Sequence, residues 1–195
     1  MPTARKSPVR APSPSTAASP VRTVARRIRY QVAMSLDGYI AGPAGEADWI
    51  LMDPEIDFAA LFRQFDAFLI GRRTFSGLAT TGMGTLPGQV LVFSRTLRQV
   101  DYPNVRIVSD NEADAIAELR ERPGKDIWLF GGGGLFQSLL AKHLVDTVEV
   151  AIVPVLLGGG LPLLPAPART TTLHLTGHRI YPTTGIVSLE YAVRY

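Results

Sequence analysis

The residues best placed to do chemistry lie where apolar strands run into glycine or arginine. The segment Ile127-Trp-Leu-Phe-Gly-Gly-Gly-Gly-Leu-Phe136 reads as a buried strand, four glycines and then a helix. Without Cβ atoms the chain can approach a ligand closely, and a helix start offers unpaired N–H groups to an anion, so Gly131, Gly132, Gly133 and Gly134 suit a pyrophosphate cradle. A tight strand-to-helix turn without a ligand would carry the same glycines. The dinucleotide fingerprint G-x-G-x-x-G fails, because its third glycine falls on Phe136, and no Gly-Lys-Ser/Thr makes a P-loop. Phe68-Leu-Ile-Gly-Arg-Arg-Thr-Phe75 is a second strand end opening a helix, with Gly71, Arg72, Arg73 and Thr74 at the junction. Guanidinium groups bind phosphate bidentately and stay charged. Val92-Phe-Ser-Arg-Thr96 repeats the theme with Ser94 and Arg95.

Strands and helices must bring these ends together. Strand-like apolar runs are expected at 28–35, 67–70, 89–93, 105–108, 126–130, 146–155, 171–181 and 186–195. Helical spacing falls between them: 54–65, with Phe58, Leu61, Phe62 and Phe65 at i, i+3, i+4, i+7; a short helix from Arg72; 111–120; and 133–142. Alternation of this kind predicts an α/β domain whose ligand sits outside the carboxyl ends of the strands. The last two strands are joined by Tyr181-Pro-Thr-Thr-Gly185, too short for a helical crossover, so they form an antiparallel hairpin. The expected architecture is a mostly parallel central sheet of about eight strands, with flanking helices and an antiparallel C-terminal hairpin.

Several motifs occur in the order and approximate spacing of the dihydrofolate reductase superfamily: Ala33-Met-Ser-Leu-Asp-Gly-Tyr-Ile-Ala41, Ile70-Gly-Arg-Arg-Thr-Phe75, Val92-Phe-Ser-Arg95 and Phe130-Gly-Gly-Gly-Gly134. Together with Val153-Pro-Val-Leu-Leu-Gly-Gly-Gly160 and Leu144-Val-Asp146, the chain most resembles the reductase domain of bacterial riboflavin biosynthesis and its stand-alone relatives. The resemblance implies a dihydrofolate-reductase-like fold and an NADPH-dependent reductase acting on a C=O or C=N bond of a small pteridine, ribitylaminopyrimidine or flavin-like substrate. It places Ala33 and Ile40 at the nicotinamide, with the loop at 42–50 as a mobile lid. Gly71, Arg72, Arg73 and Thr74 would face the pyrophosphate and adenosine, and Ser94 with Arg95 the 2′-phosphate. Gly131 and Gly132 would make a cis contact against the cofactor, and Gly133, Gly134, Leu135 and Phe136 a second cradle. Relatives of this branch are homodimers, and the apolar run at 148–157 is the expected contribution to such an interface.

Hydride transfer requires a proton as well. In Asp53-Pro-Glu-Ile-Asp57 the resemblance does not choose between Glu55 and Asp57 as the acid. Glu55 is preferred, because it heads a stripe continued by Phe58 and Phe62 that would aim it along the buried face. Acids in a first helical turn also simply complement the helix dipole. Phe58 is placed in the substrate pocket with Trp49, which would cover the substrate or anchor the core. Asp37, in Ser-Leu-Asp-Gly, is read as a turn former. His143, His174 and His178 lack ligand-spaced partners, so no metal is expected.

Composition removes other classes. Among 195 residues there is no cysteine, which excludes disulfides, thiolate metal sites and a thiol nucleophile. No apolar run approaches the roughly 18 residues of a membrane span. The net charge of +3 is localised: residues 1–29 hold seven basic residues and no acid, leaving 13 basic and 17 acidic residues, a net of −4, in the remainder. Residues 1–26, rich in Pro, Ser, Ala and Arg, are expected to be a disordered extension, with the reductase-like domain at 27–195. An unstructured tail, a transit peptide and a nucleic-acid arm all fit that extension, the first being preferred. Nucleic-acid binding is not expected of the domain, and the cytoplasm is the default compartment. The competing class is a non-catalytic nucleotide-binding or interaction module that keeps the fold.

Overall fold

The computed structural model describes residues 25–81 and 86–195. Ten strands and four helices follow in order: β1 (Ile28–Ser35), β2 (Tyr39–Ala41), α1 (Phe58–Phe62), β3 (Phe65–Gly71), α2 (Arg72–Thr81), β4 (Gln89–Phe93), β5 (Arg106–Val108), α3 (Glu112–Glu121), β6 (Asp126–Gly131), α4 (Gly133–Ala141), β7 (Thr147–Val153), β8 (Leu161–Pro162), β9 (Thr172–Tyr181) and β10 (Ile186–Arg194). Eight of the strands form one sheet in the order β5-β4-β3-β6-β1-β7-β10-β9. All neighbours from β5 to β7 are parallel, and β10 is antiparallel to both β7 and β9. This is the mostly parallel sheet with a C-terminal hairpin that the sequence predicts.

Strands buried on both faces read as continuous apolar runs, and β3, β4 and β6 do so because helices cover both sides. On one face Ile28, Tyr30, Leu69, Leu91 and Leu129 pack under Ile116 and Leu119 of α3 and Phe136 and Leu139 of α4. Tyr30 stacks on Phe136 with ring centroids 4.0 Å apart. On the other face Trp128 is the centre, 4.9 Å from Phe65, 5.0 Å from Phe62 of α1 and 5.3 Å from Phe130.

Two expectations are corrected. The helix expected at 54–65 is only Phe58–Phe62: the Asp57 carboxylate caps it by accepting from the Ala60 amide at 2.8 Å, and β3 already begins at Phe65. The helix from Arg72 is ten residues rather than short. A separate two-stranded sheet pairs β2 with β8, joining the end of β1 to a loop about 120 residues later. The run at 148–157, expected at a subunit interface, is largely β7. Both of its edges are paired, and Val148, Val150 and Val153 are buried within the chain. The outer strands of the sheet are β5 and β9.

Arg26, at the end of the expected extension, is buried, donating to the carbonyls of Leu119 and Lys125 and pairing with Asp66. Residues 1–24 lie outside the described residues.

Candidate functional site

The carboxyl ends of four strands lie side by side: Phe93 of β4, Gly71 of β3, Gly131 of β6 and Ser35 of β1. From β4 to β1 is three interstrand spacings, about 14 Å. Along this edge the chemistry changes in order, from guanidinium through glycine to apolar.

At the β4 and β3 end, Arg72, Arg73 and Arg95 are exposed, and among the described residues none of them forms an ion pair. Arg95 is near enough to Glu112 to help hold that carboxyl below its ordinary range, against the burial that raises it. Ser94 is buried and shapes its loop, its Oγ accepting from the amides of Thr96 at 3.2 Å and Leu97 at 3.1 Å.

In the middle, β3 and β6 end against each other. A Cβ on Gly71 would lie 3.5 Å from the Gly131 carbonyl oxygen, and one on Gly132 would lie 3.3 Å from Thr74 Oγ1. Gly131 has φ of +128°, a conformation side chains rarely adopt, and the Gly131–Gly132 peptide is cis, the form the resemblance implies. Beyond Gly131 and Gly134 the space is open to at least 4 Å. Gly133 differs: a Cβ there would meet the Pro162 carbonyl oxygen at 2.7 Å, so this glycine makes room for the chain after β8. Leu135 and Phe136 point into the core, and their amides donate to the Gly132 carbonyl at 3.0 and 3.1 Å. The amides left at the start of α4 are those of Gly133 and Gly134.

At the β1 end the surface is apolar. Ala33 shares a cluster with Trp49, Ile56, Ala151, Val153, Tyr181 and Ile186, so the segment at 49–56 lies over the face of β1 that carries Ala33. Ile40 is half-buried in β2. Phe58, in the first turn of α1, is half-buried. The loop at 42–50 is organised around Glu46: its carbonyl accepts from the Gly42 amide at 2.9 Å and the Trp49 indole at 3.1 Å, and its carboxylate from the Ala44 amide at 2.8 Å.

The two expected acids are exposed and already have partners. Glu55 precedes α1, so the helical stripe that favoured it does not exist; it is exposed and pairs with Arg179 at 2.8 Å. Asp57 is spent on the helix cap and is also exposed. The buried acid of the segment is Asp53, 3% exposed. It accepts from Thr184 Oγ1 at 2.7 Å and from the Glu55 amide at 2.8 Å, and so ties the segment at 49–56 to the β9–β10 turn. Those donors, the Thr184 hydroxyl first, hold its carboxyl below the ordinary range in spite of burial, the opposite of a proton donor's requirement. Sequence reasoning passed over Asp53, because its burial depends on a partner 131 residues away.

Asp37 is a clamp as well as a turn residue. It accepts from Ser35 Oγ at 2.6 Å and from the amides of Leu157 at 3.1 Å and Gly158 at 2.7 Å, which hold its carboxyl low. Both anchors therefore contribute stability above the ordinary carboxylate pKa and lose it as pH falls through their depressed values. Acidification below about pH 4 is expected to loosen the lid, read as a change in Trp49 emission in a Trp128→Phe background. Asp53→Asn should show that looser state already at neutral pH. An Asp53→Asn protein with wild-type emission across that range would show that the tether does not position the segment at 49–56.

No described group of three or more His, Cys, Asp or Glu is arranged to hold a metal. No described helix is long and apolar enough to cross a membrane.

The profile of the RibD C-terminal domain family matches residues 26–187. An uncharacterized protein of Bacillus subtilis, YyaP, is 32% identical over 85% of this chain and 94% of its own length. Two solved structures share the fold at a TM-score of 0.64 and 16% identity, each matching 87% of this chain. One is a diaminohydroxyphosphoribosylaminopyrimidine deaminase/5-amino-6-(5-phosphoribosylamino)uracil reductase from Thermotoga maritima, of which 57% is covered. The other is the dihydrofolate reductase of Enterococcus faecalis in complex with NADP(H), covered over 97%.

Proposed function

Because the chain belongs to the RibD C-terminal domain family, we propose that it is an NADPH-dependent reductase of a small heterocyclic substrate, related to the riboflavin-pathway reductases. One observation carries this reading: three guanidiniums without ion-pair partners among the described residues flank two strand ends opened by glycine, on the sheet edge that leads to the apolar face of β1. The residues fit an extended dinucleotide phosphate. Arg72, Arg73 and Arg95 would hold the 2′-phosphate end, where bidentate guanidinium contacts favour NADPH over NADH. Gly131, Gly132 and Gly134, with the amides at the start of α4, would let the backbone reach the pyrophosphate, while Thr74 borders the same space.

NADPH, when bound, supplies a hydride to a C=O or C=N carbon. Ala33 and Ile40 would flank the nicotinamide end, and the segment at 49–56 would exclude water from it and orient the substrate. Glu55 is paired with Arg179 and Asp57 caps α1, so the reading assigns the proton to water at this surface. Leu135 and Phe136 act through the core, holding α4 against Tyr30. We place the enzyme in the cytoplasm and regard it as a homodimer, in keeping with that family branch.

The test is Arg72→Ala and Arg95→Ala, each measured for NADPH and NADH binding. Loss of a charged hydrogen bond, about 1.5–3 kcal/mol, predicts a tenfold or greater loss for NADPH with NADH little changed. Equal losses for both would remove the 2′-phosphate assignment. Unchanged NADPH affinity in both variants would remove the site.

A further inference from the structure

We propose that the substrate side of this site selects an uncharged, unphosphorylated heterocycle, an inference that rests on the reductase reading above. The Thermotoga maritima relative is named for a phosphoribosylated uracil substrate; the charges here point to a different preference. Residues 42–62, which contain the lid segment and α1, hold Glu46, Asp48, Asp53, Glu55 and Asp57 and no lysine or arginine. The cations beside them are Arg63, 3.8 Å from Asp57, and Arg179, 2.8 Å from Glu55 and stacked over Tyr181. Five carboxylates thus stand against two guanidiniums, each already facing one of those carboxylates. Arg29, on the same face of β1 as Ala33, is buried against Glu149 at 2.7 Å.

Of the described cations that lack an ion pair, Arg72, Arg73 and Arg95 lie at the β3 and β4 ends, where the cofactor's own phosphates would use them; Lys125 precedes β6 and Arg194 ends β10, both at the opposite end of the sheet, and Arg169 lies in the loop between β8 and β9. A phosphate monoester carries about −1.5 to −2 at neutral pH, so on the lid side it meets net negative potential and has to displace a carboxylate from any guanidinium it approaches. A neutral ring meets no such penalty. Its polar edge finds Gln31, two residues before Ala33 on that face, whose Oε1 is buried without a hydrogen-bond partner. A carboxamide, donor and acceptor together, matches the N–H and C=O edge of a uracil, pteridine or flavin.

The experiment uses the full chain and two matched pairs, ribosylaminouracil with its 5′-phosphate and riboflavin with riboflavin 5′-phosphate. NADPH binding is established first. Binding of each compound is then read by tryptophan quenching with NADP+ present, and turnover by NADPH oxidation. At low ionic strength the unphosphorylated member of the productive pair is expected to be favoured at least tenfold in both affinity and kcat/KM. Added salt or Glu55→Gln should narrow that gap, because each weakens the repulsion. Equal or better use of the phosphorylated member at low salt would overturn the inference and leave the reductase reading standing. NADPH binding with no binding or oxidation of any of the four would overturn the substrate class as well as the heterocycle reductase reading, leaving the cofactor site. Absence of NADPH binding would take down both.

Discussion

Gly132→Val is expected to weaken NADPH binding about 100-fold while leaving the far-ultraviolet circular dichroism and thermal midpoint close to wild type. The backbone at Gly132 has φ of −90° and ψ of −168°, extended geometry open to any residue. The nearest group to a Cβ there is Thr74 Oγ1 at 3.3 Å, so the protein itself accepts the side chain with a small shift. What the branched side chain fills is the space through which the backbone would approach a pyrophosphate. Gly133→Val is the matching control with the opposite character: its Cβ would lie 2.7 Å from the Pro162 carbonyl oxygen, so it should lose stability as well as binding. Wild-type NADPH affinity in Gly132→Val would show that no ligand uses the glycine edge.

The second large effect is on stability. Arg29 and Glu149 are 11% and 7% exposed and make two hydrogen bonds of 2.7 Å across β1 and β7, with Asp126 and Gln64 completing the guanidinium's partners. Its planar group also lies 4.8 Å from the centre of the Phe65 ring. Removing one member of a buried pair leaves the other charged and unpaired, so Arg29→Met is expected to cost about 3–5 kcal/mol in urea denaturation. Replacing both, Arg29→Met with Glu149→Met, should recover most of that loss, since the desolvation of two charges is then avoided. A single substitution costing under about 1 kcal/mol, the value for a surface pair, would mean that water screens the pair.

The sheet was legible because its strands are punctuated by glycine, proline and polar residues and the central ones, β3, β4 and β6, are buried on both faces. The bounds of β1 and β4 match the apolar runs exactly as read. Helix α1 was over-extended because Phe58, Leu61, Phe62 and Phe65 keep helical spacing across an element boundary: the last of them is buried as the first residue of β3. The same over-extension removes the helical stripe from which Glu55 was aimed along the buried face, since the helix begins only at Phe58. Strands β2 and β8, three and two residues long, have no periodicity to read, and their pairing is long-range. The glycine- and arginine-bearing strand ends were readable because a missing Cβ and an arginine are properties of the residue itself. The lid anchors Asp53 and Asp37 were harder, because their roles come from Thr184 and from the amides at 157–158, brought near only by the completed fold.

The central claim is that this sheet edge binds NADPH through phosphate-reading arginines. The most direct measurement is a titration of the purified chain with NADPH and, separately, NADH, following tryptophan quenching and nicotinamide emission. Micromolar binding of NADPH with at least tenfold weaker binding of NADH is the result expected of three available guanidiniums beside a glycine-lined edge. Saturable binding of neither would contradict the account, and the reductase assignment would fall with it.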